Sequence, residues 1–360
     1  MEAIVKCIKD AYWNTIKKKP NVVGFSGKLQ LRIRDGKLVK NTKVFRIYVD
    51  RKEDCMSFKD MVPTTLEVKD CNSCGISTIE TDVVAIGTIR YMDFIPETMT
   101  VPTDHQKRIR PYMAGVSSTS CLSTACTMNV PYKRKIGTSE VTGDPIYEVL
   151  ISSNNHCYGR EDKAVKGEDD LQPSPYDGGI TGLDTIAKFE FGVETKYGSF
   201  TCPFRELGMK IYKALFRVTH LKSLDNINRV DIAFSKPIDE NEICYEVFGM
   251  EGKIVGKGEH TIGTKVIKSG RTTAVTEGIV MDDAWSGTVQ GSRGVAQYED
   301  CVLCSMKCDG GDSGSPIVSK TDTGNLLYHG ALFAGSSYNI TIYCKVQNIE
   351  KEGNVELAVL

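Results

Sequence analysis

No stretch of the 360-residue chain approaches the ~18 consecutive apolar residues that a membrane-spanning helix needs. Net charge is missing too. Lys and Arg number 45 against 46 Asp and Glu, a balance of -1, which excludes a general electrostatic pull toward nucleic acid or anionic membrane. There is no internal repeat and no low-complexity tract, so solenoids and disordered tails are excluded. Met1–Lys19 interleaves Glu2, Lys6, Lys9 and Asp10 with its apolar residues. It therefore lacks the uninterrupted apolar run of a signal peptide, and the expected location is cytoplasmic. Histidine is scarce, with five residues, whereas cysteine is plentiful and odd at thirteen. Without an export signal, those cysteines read as thiols or metal ligands before they read as a disulfide framework. What remains is 41% hydrophobic and 25% charged, the composition of a globular chain long enough for two domains.

Ile4, Ile8, Tyr12 and Ile16 recur every fourth residue with Val5 and Trp13 beside them, which predicts an amphipathic helix closed by Lys17–Lys19 and Pro20. Short apolar runs follow at Val22–Phe25, Leu29–Ile33, Lys43–Val49 and Asp82–Ile89, divided by Ser26-Gly27 and Asp35-Gly36. A helix and several strands predict a small N-terminal α/β domain over residues 1–95. Pro96, Pro102 and Pro111 mark residues 96–112 as a linker. Short strands with Gly-rich turns then run through 113–355, an all-β pattern. Phe204–Val218, with Leu207, Ile211, Leu215 and Val218 at helical spacing, interrupts it as an inserted helix. The class is α+β overall.

The most informative segment is Cys308-Asp309-Gly310-Gly311-Asp312-Ser313-Gly314-Ser315-Pro316. A serine hydroxyl becomes nucleophilic when a base takes its proton and a tight turn presents it. Gly311 and Gly314 lack the Cβ atoms that would obstruct such a turn. The amides of Gly311 and Ser313 could then converge on a developing oxyanion. The segment resembles the Gly-Asp-Ser-Gly-Gly-Pro nucleophile loop of chymotrypsin-like serine peptidases, with Ser315 in place of a glycine. The resemblance implies a double-barrel β domain and a His-Asp-Ser triad in that chain order.

Both partners must then lie upstream. His105 falls in the linker, His220 near the inserted helix, His260 in a Gly-rich turn and His329 after the serine, which leaves His156. It ends the apolar run Val149–Ile151 in a Ser-Asn-Asn-His-Cys corner, similar to bacterial and animal members of the family. For the acid, Val230-Asp231-Ile232-Ala233-Phe234 resembles the strand whose aspartate holds the imidazole. Asp225 is the nearest rival, but no apolar strand follows it directly.

Val266–Thr273 with Gly278-Ile279-Val280 resembles a signature of alpha-lytic protease and the streptogrisins. Carried over, its Arg271 would pair with Asp312 and hold the oxyanion loop open, in place of the cleaved N-terminus of animal members. Arg271→Ala is then expected to leave an intact triad and a collapsed oxyanion hole. Leu171–Gly179 is similar to a loop of uncharacterised bacterial and archaeal trypsin-like proteins that carry an α/β extension. No chemistry is assigned to it. In this fold the substrate pocket is lined by Lys307, Cys308 and Asp309 and by Phe333, Ala334 and Gly335. Lys307 stands where trypsin-type enzymes carry aspartate, which argues against a simple Arg or Lys preference.

Cys301, Cys304, Cys308 and Cys344, and Cys55, Cys71 and Cys74, have spacings that zinc can use, without the paired motif that makes such a signal strong. Cys126 and Cys157 resemble the disulfide beside the family's histidine. Zinc, disulfide and thiol stay open, with thiols favoured. The expected function is a serine endopeptidase acting on protein or peptide substrates without a cofactor, nucleic acid or membrane. The alternative is a silent peptidase fold that binds partners. An intracellular peptidase needs restraint, so a narrow substrate or a regulatory partner acting through the N-terminal domain is expected.

Overall fold

A computed structural model describes residues 2–34, 37–53, 56–69, 76–92, 103–198 and 226–359. The N-terminal helix forms at Ala3–Ile8 and resumes at Asn14–Ile16, with a wider i→i+5 turn over Lys9–Trp13 between them. The wide turn has a reason in the sequence. Residues four apart overshoot an α-helical turn by about 40° each, so Ile4, Ile8, Tyr12 and Ile16 would spiral off one face. A stretch with more residues per turn corrects the drift, and Val5, Ile8 and Ile16 are all buried. They pack with Phe25, Phe45, Ile47 and Leu66 in a core of their own.

That core is roofed by strands Val22–Ser26, Gln30–Arg34, Lys37–Val49, Thr65–Lys69 and Ile76–Ala85. Three of the four expected runs fall inside or beside these strands. The fourth, Asp82–Ile89, is displaced toward the N-terminus, because residues 86–89 leave the ladder. The Asp35-Gly36 turn lies outside the described residues. Val22–Ser26 pairs with Lys37–Val49 on one side and with Ala274–Gly291 on the other. The N-terminal sheet therefore continues into the C-terminal one.

The C-terminal strands close on themselves. Lys265–Gly270, Ala274–Gly291, Gly294–Ser305, Ile340–Lys345, Leu326–Ser336 and Pro316–Lys320 pair in a six-membered ring, which leaves no free edge. The other unit is a seven-stranded sheet that includes Pro145–Ser153, Ala233–Pro237 and Thr185–Gly192, wrapped around Tyr112, Val116, Met128, Ile151 and Tyr158. Of the two expected barrels, strand pairing among the described residues closes the C-terminal one.

Residues 103–112 of the expected linker are packed rather than loose. His105 is buried and its Nε2 lies 3.0 Å from Ser269 Oγ, while Thr103 Oγ1 donates to the Arg271 carbonyl at 3.0 Å. Phe204–Val218 lies outside the described residues. Among the described residues no helix is long and apolar enough to cross a membrane.

Candidate active site

The two β units meet along a cleft, and each brings one half of a hydrogen-bonded chain to it. Strand Pro145–Ser153 ends where residues 154–158 turn, and His156 sits in that turn. Asp231 precedes strand Ala233–Pro237, which pairs with Pro145–Ser153. The pairing brings carboxylate and imidazole together, and Asp231 Oδ2 contacts His156 Nδ1. The other oxygen, Oδ1, accepts the backbone N–H groups of Asn155 at 2.7 Å and His156 at 3.2 Å. Asn154 Nδ2 donates to the Asp231 carbonyl at 2.7 Å, and the Asp231 amide donates to Cys344 Sγ at 3.2 Å. From the barrel side, Ser313 Oγ lies 2.8 Å from His156 Nε2. The three side chains proposed from the sequence thus form one continuous chain of hydrogen bonds.

The serine loop owes its shape to two glycines. Gly311 and Gly314 have φ of 95° and 93°, which side-chain-bearing residues rarely adopt. A Cβ at Gly314 would also stand 2.0 Å from the Thr127 carbonyl. Thr127 straps the loop from the opposite unit. Its amide donates to the Ser313 carbonyl at 2.7 Å and its hydroxyl to the Gly311 carbonyl at 2.8 Å. No signal in the sequence pointed to Thr127.

Asp312 corrects one expectation. It is not bound by Arg271. Its carboxylate faces strand Lys265–Gly270, where the fully buried Lys268 ammonium lies 3.3 Å away. It also accepts the amides of Thr272 at 2.8 Å and Thr273 at 3.1 Å and the Thr273 hydroxyl at 2.6 Å. The Arg271 stem passes beneath Gly311, where a Cβ would meet Arg271 Cδ at 3.0 Å. That course carries the guanidinium past Asp312 to both oxygens of Asp177, with Nε at 2.8 Å. The Arg271 side chain thus lies under Gly311 and is tied to the 171–179 loop, to which the sequence assigned no chemistry.

Of the residues expected to line the substrate pocket, Lys307, Cys308, Asp309 and Gly335 border one cavity, while Phe333 and Ala334 pack into the core. Gly335 lies so close to Cys308 Sγ that a Cβ there would approach it to 2.3 Å. Burial pushes the Cys308 thiol up to about 12, so it is a neutral, apolar wall. Lys307 is exposed, and the Asp309 carboxylate turns back to accept the Gly310 amide at 2.8 Å. Met306 is buried with Val266, Val280, Ile317 and Leu332 behind the pocket.

Cys126 and Cys157 form a disulfide beside His156, so thiols, favoured from the sequence, do not apply to this pair. Among the described residues, the one place where three candidate ligand atoms converge is Cys126, His156 and Cys157, two of them already disulfide-bonded. Cys301, Cys304, Cys308 and Cys344 do not gather into a metal set. Cys55, Cys71 and Cys74 lie outside the described residues.

No protein-family model matches the chain, and no curated protein matches it by sequence. Similar solved structures are chymotrypsin-like serine proteases. One is protease A of Thermobifida fusca, at 15% identity over 69% of this chain and 98% of that chain, with a TM-score of 0.42. Another is a Nocardiopsis protease at 16% identity, covering 69% and 98%, with a TM-score of 0.41. A glutamic acid specific serine protease is 15% identical, covers 69% and 100%, and scores 0.42.

Proposed function

We propose that the chain is a serine endopeptidase that cleaves peptide bonds through an acyl-enzyme. The observation that carries the reading is the 2.8 Å contact between His156 Nε2 and Ser313 Oγ, with Asp231 on the far side of the ring. A carboxylate bonded to Nδ1–H leaves Nε2 as the lone-pair nitrogen, which is the tautomer able to take the serine proton. As Ser313 Oγ attacks a carbonyl carbon, the proton passes to Nε2 and the imidazolium forms beside Asp231. The carbonyl oxygen becomes an anion, and the Gly311 amide lies on the loop that would receive it, with the Ser313 amide as second donor. His156 then gives its proton to the leaving amine, and water repeats the sequence on the ester.

A fluorophosphonate reagent is expected to label the protein on Ser313, and Ser313→Ala and His156→Ala are expected to abolish labelling. Wild-type protein no more reactive than Ser313→Ala would overturn the reading in favour of a silent binding module. Hydrolysis is expected to rise through about pH 6–7.5 as the imidazole loses its proton.

A further inference from the structure

Ser313 is fully buried and His156 is only 6% exposed, which is unusual for groups meant to meet a substrate. What covers them is the protein's own chain. Arg90 and Tyr91 form a short strand antiparallel to Leu326–Ser336, pairing with Gly335 and Ala334 respectively. The Met92 amide continues the ladder to the Phe333 carbonyl at 3.4 Å, and the Met92 carbonyl accepts the Gly311 amide at 2.7 Å. The Tyr91 ring packs on the His156 imidazole with centroids 4.8 Å apart. The Met92 side chain packs with Cys308 against the apolar cluster behind the pocket.

Each of these contacts is one a substrate would make. The carbonyl of the residue before the cut bonds the amide beneath which an oxyanion would form, and its side chain enters the pocket. The preceding side chain covers the imidazole, and the backbone adds a strand to the pocket's rim. Resting on the peptidase reading above, we propose that residues 90–92 are a substrate of this site and that the Met92–Asp93 peptide bond is cleaved by Ser313 of the same chain. The pocket is thereby assigned to an unbranched apolar side chain such as methionine. Its walls are the neutral Cys308 thiol and the Gly335 backbone, Lys307 points to solvent, and Asp309 is occupied by Gly310.

The step balances without a co-reactant beyond water. Ser313 Oγ bonds to the Met92 carbonyl carbon and its proton goes to His156 Nε2. The bond from that carbon to the Asp93 nitrogen breaks, and the nitrogen leaves with the proton. Water then splits the Met92 ester, releasing a Met92 carboxylate and restoring the Ser313 hydroxyl. The Gly311 amide already holds the Met92 carbonyl. Among the described residues the Ser313 amide has no acceptor, so the second oxyanion bond is made only as the carbon becomes tetrahedral.

The test is intact-mass spectrometry on the purified full chain over time. Wild type is expected to resolve into 1–92 and 93–360 at a rate independent of protein concentration, and Ser313→Ala to stay whole. Met92→Glu, which puts a charge into the apolar pocket, is expected to slow the cut at least tenfold. A whole wild-type chain that a fluorophosphonate still labels on Ser313 would overturn self-cleavage and leave the peptidase reading standing. A whole chain that stays unlabelled both as wild type and as Met92→Glu, whose charge disfavours the covering segment, would sink the peptidase reading itself. Cutting at another bond, or at a rate proportional to concentration, would also overturn the assignment.

Discussion

The two sides of the cleft hold their buried carboxylates in opposite ways. On the histidine side, Asp231 has no cation within ion-pair distance among the described residues except the imidazole itself. Two backbone amides fix one oxygen and leave the other for the ring. On the serine side a full cation joins the fixing: the Lys268 ammonium faces Asp312 beside the Thr272 and Thr273 amides, and both charged side chains are fully buried. A carboxylate already neutralised by lysine cannot stabilise a charge that appears elsewhere, so Asp312 shapes the loop. One held by neutral donors keeps its field for the ring beside it, which is what the proposed reaction asks of Asp231.

Three substitutions would break or sharpen that contrast. Asp231→Asn keeps the shape but reverses the donor at Nδ1 and favours the wrong tautomer. A loss of about 10⁴ in kcat is expected, with thermal stability little changed, as measured on a Met-terminated peptide p-nitroanilide. A large fall in stability instead would place Asp231 with Asp312 as a structural group. Lys268→Met leaves the Asp312 carboxylate buried without its cation. A loss of about 3–5 kcal/mol in unfolding free energy is expected, partly restored in the Lys268→Met, Asp312→Asn double variant. A loss unchanged in the double variant would mean that packing, not charge, is at stake.

The third substitution concerns a carboxylate held by neutral donors with no imidazole to serve. Asp282 accepts from Tyr48 Oη at 2.6 Å, the Ala284 amide at 2.8 Å, Ser26 Oγ at 3.0 Å and Gln30 Nε2 at 3.1 Å. Burial pushes its carboxyl from 3.8 up to about 6. The folded value lies above the unfolded one, so the native state takes up the proton first on acidification. The stabilisation is full below about pH 4 and is lost as pH rises through about 6, a change of about 3 kcal/mol. Urea unfolding of wild type against Asp282→Asn is expected to show the difference moving in favour of wild type from pH 7 to pH 4. A constant difference would mean that Asp282 is ionised throughout.

Much of this site could be read from the chain because its determinants are local. A positive-φ glycine on either side of a serine is a requirement of one tight loop, and a strand end carrying His156 or Asp231 shows in the apolar residues beside it. The exchange of partners between Lys268 and Arg271 was hidden because it depends on which way a side chain runs over a turn. A cue existed, since Lys268 alternates with the buried Val266 and therefore points to the same side of its strand. Thr127 and Asp177 are assembled across the fold and carry no local mark. Met92 has no motif at all and acquires meaning only from the position of the Gly311 amide. The expectation of thiols leans on the missing apolar run at the N-terminus, and Cys126 and Cys157 depart from it by forming a disulfide.

The ladder between Val22–Ser26 and Ala274–Gly291 bears on what a cut after Met92 would achieve. Hydrolysis would sever one covalent link, yet the fragment would stay zipped to the barrel by main-chain hydrogen bonds and by the donors around Asp282. Its newly formed carboxylate would be held at the cleft at a high effective concentration, rebinding faster than outside peptides could enter. Scission and unmasking would then be separate events, the second set by dissociation of residues 1–92 and so by dilution or by a competitor for that sheet edge.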